Sequence, residues 1–348
     1  RKIGLGERLF LMEAAGSTKI GGVVSMTRRI LIGTLIFEGL GAFLLALRFC
    51  PQMGFVEGIY NAVFHAVSAF CNAGFDLMGR EKAFASLTLS CGDPLVNLVI
   101  MCLIVTGGLG FFLWEDLCTN HLRIRRCRLQ TKVVLTTTAF LILLPALFFF
   151  FWEFRQPAWA GLSGGQRFWA SLFQSVTPRT AGFNTVDLTR LQSPSVLIIL
   201  FLMLVGGSPG STAGGMKTTT LAVLLLCIPS LFRNEQSLHC FKRRVGAEVL
   251  KSAVTISLLY SILTLSCGML ICCLEGVSLT ASLFEAASAI GTVGLSLGIT
   301  GELSLLSRLL LIGLMYFGRV GCLTMIYAFA EHQTGAAAQL PLEKITVG

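Results

Sequence analysis

Charge is scarce in this chain: Asp, Glu, Lys and Arg make up 13% of the 348 residues, against 54% hydrophobic residues and a mean hydropathy of +0.77. Soluble domains carry about a quarter charged residues, so a soluble enzyme or binding module is excluded and the chain reads as an integral membrane protein. Metal-ligand spacings are also missing. The 12 cysteines form no CxxC pair and stand in no ligand-like spacing with the 4 histidines. Most of them, such as Cys102, Cys227, Cys267, Cys272 and Cys273, lie inside apolar runs and read as small buried hydrophobes. A nucleotide cradle is missing as well. The stretch "GGMKTTT" lacks the Gly-Lys-Ser/Thr that must follow four spacer residues, and it lies between apolar segments rather than after a strand.

The net charge of +9 gathers at residues 1–8, 28–29, 121–132 and 233–244. No soluble domain or interleaved aromatic pattern accompanies these clusters, which excludes nucleic acid as a partner. The positive-inside rule places all four on the cytoplasmic side of a lipid bilayer instead. Apolar runs fall at about 29–49, 95–114, 133–152, 195–231, 249–274 and 305–330. Six spans put both ends of the chain inside. The run at 195–231 is interrupted by "VGGSPGSTAGGMKTTT", whereas "CLIVTGGLGFFLWE" and "LIGLMYFGRVGCLT" read as continuous helix.

The outward connections are long and apolar, and each holds a short helical piece followed by a glycine: "IYNAVFHAVSAFCNAGFD", "FWASLFQSVTPRTAGFNTVD" and "LTASLFEAASAIGTVGLSLG". Gly182 lies 108 residues after Gly74, and Gly294 lies 112 after Gly182, which is an internal repeat of roughly 110 residues. Non-helical backbone at membrane depth survives only where it is buried in protein or lines a water-filled path. Three such turns in register imply a pore. A dehydrated monovalent cation needs oxygens in place of water, and glycine lets the chain turn successive carbonyls toward an axis.

The residues "SAFCNAGFD", "TPRTAGFNTVD", "SAIGTVGLSLGIT", "GGSPGSTAGGMKTTT" and "MYFGRVGCLT" together resemble the Trk/Ktr/HKT superfamily of potassium transporters, and most of all its bacterial Ktr-type membrane subunit. The resemblance runs the length of the chain. It implies an all-α integral membrane fold of tandem membrane-pore-membrane repeats around a pseudo-fourfold pore. Three of an expected four repeats are present, because "RKIGLGERLFLMEA" is similar to the linker after the first unit. The units are then a cytoplasmic linker at 1–27, a second repeat at 28–120, a third at 121–240, a fourth at 241–335 and a tail at 336–348. The implied selectivity filter comprises Asn72, Ala73 and Gly74, then Thr180, Ala181 and Gly182, then Thr292, Val293 and Gly294, holding potassium through backbone carbonyls. The implied gate is the intramembrane loop 206–216, including Gly206, Gly207, Ser208, Gly210, Ser211, Thr212, Gly214 and Gly215, together with Lys217 and Arg319.

The resemblance further implies potassium uptake at the bacterial cell membrane, no covalent chemistry, no cofactor in this chain, a homodimer, and a ring of cytosolic nucleotide-binding regulatory subunits. Sodium stays open as a second transported ion, because the first filter segment is not in this sequence. A secondary transporter working by alternating access, and a non-conducting fragment, are the rival readings. Among other polar residues, an arginine inside a span marks a functional position by default. Arg319 is such a residue, and the resemblance implies that it faces the loop. Lys217 reads either as a charged gate element or as a snorkelling anchor. Glu285 either draws cations to the pore mouth or holds its half-helix, Asp76 and Asp187 raise cation concentration outside two filters, Arg179 buttresses, and His65 packs.

Overall fold

Long apolar runs become long helices because the bilayer offers no partner for an unpaired backbone group. The computed structural model describes residues 23–80, 84–121, 123–233 and 238–321. The linker before residue 23 and the tail after 321 lie outside the described residues. Among the described residues, three single helices are long and apolar enough to cross a membrane: α1 (Val23–Met53), α5 (Leu129–Phe151) and α9 (Ala247–Glu275). Between them stand α2 (Phe55–Phe70), α3 (Pro94–Leu109), α4 (Phe111–Thr119), α6 (Gly164–Val176), α7 (Ser193–Leu204) and α8 (Thr218–Phe232), with α10 (Leu279–Ile290) and α11 (Leu305–Val320) after α9.

The order long helix, short helix, turn, second helix occurs three times. Local chemistry sets several of the starts. Asp93 accepts hydrogen bonds from the Leu95 and Val96 amides at 3.0 and 3.3 Å, with Pro94 at the first helical position of α3. Ser163 and Gln166 form a reciprocal capping box at α6. Ser278 and Ser304 cap α10 and α11. At 16, 13 and 12 residues, α2, α6 and α10 are too short to span a bilayer.

The continuous span expected at 95–114 is corrected by the structure. α3 and α4 meet at a bend of 89° at Gly110, whose φ of 92° is open to glycine and not to a side chain. The freed Phe111 amide donates to the Gly210 carbonyl at 2.9 Å, so a distant loop completes the break. The helix of the last run stops at Val320, where Gly321 has φ 94°. The helical expectation is also departed from at a two-stranded hairpin, β1 (Leu238–Cys240) and β2 (Arg243–Val245). It turns through left-handed Phe241 and Lys242 in the basic linker.

Apolar cores link one unit to the next. Phe70 and Ile100 of the first described unit pack with Phe173 and Phe183 of the second. Ile199 and Met203 pack with Phe284 and Ala287 of the third. In this way α3 lies on α6, and α7 lies on α10. The outward faces of the long helices remain apolar and exposed, as at Leu35, Phe43, Leu144 and Ile262, which suits contact with lipid tails.

Candidate functional site: three turns and a strapped loop

The short helices deliver three tight turns to one place. α2 ends with Cys71 as cap and Asn72 left-handed at φ 50°. The Asn72 amide then donates to Ala69 O at 3.2 Å and the Ala73 amide to Ser68 O at 2.8 Å. This is a Schellman ending with asparagine in the position glycine usually holds. α10 ends the same way: Thr292 has φ 52°, its amide bonds Ala289 O at 3.0 Å, and Val293 bonds Ser288 O at 2.9 Å. After α6 the turn is looser, but Thr180 is again left-handed at φ 70°. A non-glycine residue held there costs about 1–3 kcal/mol and persists only when its surroundings require it.

Two residues further on, Gly74, Gly182 and Gly294 have φ 72°, 87° and 91°, while Ala73, Ala181 and Val293 between them keep negative φ. Left-handed and ordinary backbone therefore alternate in all three segments. Such alternation turns successive carbonyls toward one side, as a cation site needs. The segments are in contact at the glycines. A Cβ on Gly74 would fall under 3.0 Å from the Ala181 carbonyl oxygen, and one on Gly182 would do the same at Val293. No L side chain fits at either position. The short helices direct their C-terminal, partly negative ends at the same place.

Hydroxyls that sequence reasoning missed brace these turns. Ser68 donates to Phe75 O at 2.7 Å, Thr177 donates to Phe183 O, and Ser288 accepts from the Gly294 amide at 3.1 Å. Their recurrence just before each glycine turn was the available signal.

The break between α7 and α8 lies directly against the turns. Val205 and Met216 pair as an isolated bridge that closes the loop. Its backbone is strapped to neighbours on both sides. The amides of Ser208 and Thr212 donate to Gly108 and Gly107 at 2.9 and 3.3 Å, and that of Gly215 donates to Gly318 at 3.3 Å. The Thr212 hydroxyl donates to Phe70 O at 3.0 Å and accepts from Asn72 Nδ2 at 3.0 Å. Within the loop, Ser211 Oγ donates to Ser208 O at 2.7 Å, and Ser208 and Thr218 share a hydroxyl bond of 3.0 Å. A Cβ would intrude at Gly206, against the Gly214 carbonyl, at Gly207, against the Ala213 side chain, and at Gly214, against the Thr292 side chain.

Arg319 meets the loop: its guanidinium donates to Thr212 O at 2.9 Å. The Lys217 ammonium donates to Ala213 O at 2.8 Å and so staples the loop to itself. Glu285 is buried and accepts from the Ser296 and Thr300 hydroxyls and the Leu297 amide; it secures the segment leaving the turn rather than its own half-helix. Asp76 and Asp187 each accept from an amide two residues on, at 3.0 and 3.1 Å. Arg179 is buried behind its turn, 3.4 Å from the Thr138 hydroxyl of α5. His65 is fully buried, donates from Nδ1 to Asn61 O at 2.7 Å and accepts the Leu77 amide at 3.5 Å. Glu38, a carboxylate in the middle of α1, was missed in the sequence; it accepts from the Cys71 thiol beside the first turn at 3.8 Å.

A family model described as TrkH, a cation transport protein, matches residues 2–339. The chain belongs to this family of cation transport proteins. The TrkH family is one of transporters and not of enzymes, and its membership agrees with the apolar helices in making this a multi-pass membrane protein. Among curated relatives, the potassium/sodium uptake protein NtpJ of Enterococcus hirae is 34% identical, over 100% of this chain and 77% of that protein. The Ktr system potassium uptake protein B of Bacillus subtilis is 36% identical, over 95% and 73%. A crystal structure of the potassium transporter TrkH from Vibrio parahaemolyticus superposes with a TM-score of 0.72 at 18% identity, over 93% of this chain and 68% of that one, which shows the shared fold.

Proposed function

We propose that the chain is the ion-translocating part of a potassium uptake system, conducting potassium down its electrochemical gradient through a filter of backbone carbonyls. The observation that carries this reading is the convergence of three alternating left-handed turns, each at the C-terminus of a helix too short to span, with a broken helix strapped against them. Carbonyls replace the ion's hydration shell at Ala73, Gly74, Ala181, Gly182, Val293 and Gly294. The loop 206–216 closes the path, and Arg319 holds it closed through Thr212. No cofactor is required, and sodium is a second ion that the same carbonyls admit less well.

The pore is taken to have four quarters in pseudo-fourfold arrangement, of which this chain supplies three: 28–120, 121–240 and 241–335. Two features support a fourth. A Cβ on Gly294 would meet nothing within 4 Å, whereas those of Gly74 and Gly182 meet the next turn. The face of α2 equivalent to those covered on α6 and α10 is barer, with Val67 40% exposed where Ser175 and Ala287 are fully buried, and a groove of about 350 Å³ along Tyr60, Val63, Val67 and Cys71. A preceding unit of the same design would cover it. The basic linkers at 121–132 and around Lys242 then face the cytoplasm and a ring of nucleotide-binding regulatory subunits, with the chain paired as a homodimer. An alternating-access carrier also uses broken helices, but as inverted partners; here both breaks fall in the second helix of their unit.

The test is growth of a potassium-uptake-deficient bacterium at low potassium, with the full-length protein or its Gly182→Asp variant. Rescue by the first alone is expected. Equal rescue by both sinks the filter assignment.

A further inference from the structure

Between α1 and α4 lies a cavity of about 380 Å³ that takes no part in the pore. Its volume falls in the range of small-ligand sites, about 300–1,000 Å³. Along α1 it runs from Met26 to Phe37, and midway stands Gly33, where a Cβ would meet nothing within 4 Å. Two contacts bridge the helices beside it: the Phe37 and Trp114 rings, 5.1 Å apart, and an ion pair of 3.3 Å from Arg29 to Glu115. In the second unit the corresponding helices, α5 and α8, pack against each other. The 89° bend at Gly110 keeps α4 from closing on α1 in the same way.

We infer that this cavity is a site for an anionic phospholipid, which lays one acyl chain against the rings of Phe37, Phe70, Phe111 and Trp114, sets its phosphate on Arg29, and so holds loop 206–216 closed. The cavity opens toward lipid: Cys118 in its wall is exposed, as are Leu31 and Leu35 beside it on α1. Its deep wall is apolar. Trp114 already gives its indole N–H to Thr106 O at 3.2 Å, so the ring offers an occupant its face. That wall suits a chain and gives nothing to a soluble anion. At the mouth, a guanidinium has five N–H donors and Glu115 takes one of them. The others, with exposed Arg28 alongside, are free to bind a phosphate. Anionic headgroups gather at basic residues on the cytoplasmic face, where the positive-inside rule puts 28–29.

Two wall residues carry ties of the loop. The Phe111 amide donates to Gly210 O at 2.9 Å, and the Phe70 carbonyl accepts from the Thr212 hydroxyl at 3.0 Å. A chain packed on both rings fixes the backbone from which those ties run. A ligand shifts an equilibrium toward the state it fits, and this wall belongs to the strapped loop. The coupling rests on the gate reading above; the lipid site does not.

The full-length protein in phosphatidylcholine vesicles, carrying bromine-labelled phosphatidylglycerol or bromine-labelled phosphatidylcholine as quencher, tests the site by tryptophan fluorescence. The share lost in Trp114→Phe reports the cavity. Phosphatidylglycerol is expected to quench that share at about fivefold lower mole fraction, the effect of one basic residue near the headgroup. Gly33→Leu, which fills the cavity without a clash, is expected to weaken quenching by both lipids. Should it not fold, Arg29→Gln reads the same site and is expected to erase the preference. Equal quenching by the two lipids, or quenching that Gly33→Leu leaves unchanged, overturns the site, as does a Trp114 that neither lipid reaches because protein covers it. Initial rubidium influx is expected to fall about fivefold as phosphatidylglycerol is added to the parent, the low end of usual coupling between sites, and to change less in Gly33→Leu. An equal response in the two proteins overturns the coupling. Uptake undiminished in Gly182→Asp overturns the pore reading and leaves the quenching result standing.

Discussion

Arg319→Ala tests the latch. Among the described residues, seven hydrogen bonds tie loop 206–216 to segments other than its own flanking helices α7 and α8, and six of them pair neutral groups: Ser208, Thr212 and Gly215 amides outward, the Phe111 amide inward, and the two at the Thr212 hydroxyl. The seventh, from Arg319 to Thr212 O at 2.9 Å, is charge-assisted. Charged bonds contribute about 1.5–3 kcal/mol, and the exposure of this one places it nearer 1–1.5 kcal/mol. At 1.4 kcal/mol per tenfold, its loss raises the open fraction about fivefold to tenfold. Initial rubidium influx into proteoliposomes carrying the full-length protein should rise by that factor. Arg319→Gln should rise similarly, because it also removes the charge that opposes a cation. Lys217→Met should change influx less, since its bond to Ala213 stays inside the loop. Influx in Arg319→Ala equal to or below the parent, in protein that melts at the parent temperature, would refute the latch.

Gly182→Ala places a Cβ against the Val293 carbonyl at φ 87°, adding about 1–2 kcal/mol of left-handed strain and displacing a filter oxygen; loss of potassium preference in competition uptake is expected. Gly294→Ala should be equally damaging in the full-length protein if a fourth unit faces it, and milder if that quarter is open. Glu153 is fully buried and accepts from Trp159 Nε1 at 2.8 Å, the Gln192 amide and the Ser195 hydroxyl. Glu153→Ala strands those donors at about 1–3 kcal/mol each. A lower melting temperature with unchanged ion preference is expected, read by fluorescence-detected size exclusion after heating.

Filter glycines were legible because a residue type recurs at fixed spacing, and the loop because five glycines and a proline cannot continue a membrane helix. The bend at Gly110 was not legible. The three glycines of "GGLGFF" are compatible with a straight, closely packed membrane helix, and the break is completed by a hydrogen bond to Gly210, a partner remote in sequence. The same limit hid the left-handed Thr180 and Thr292, since no propensity puts β-branched residues there, whereas Asn72 is of a type that tolerates that region. Neighbouring segments hold them in place. The hairpin at Leu238–Val245 was read only as a charged linker, because its strands are three residues each and carry no apolar alternation. Glu38 was passed over inside an apolar run, although a carboxylate at that depth is itself a signal.

The most direct measurement is rubidium influx through the full-length protein in proteoliposomes, with external potassium or sodium as competitor, for the parent and for Gly182→Ser. Conduction through carbonyls at this glycine predicts strong competition by potassium, weak competition by sodium, and a collapse of that difference in the variant. An identical competition profile in the two proteins would mean that the ion does not pass these turns.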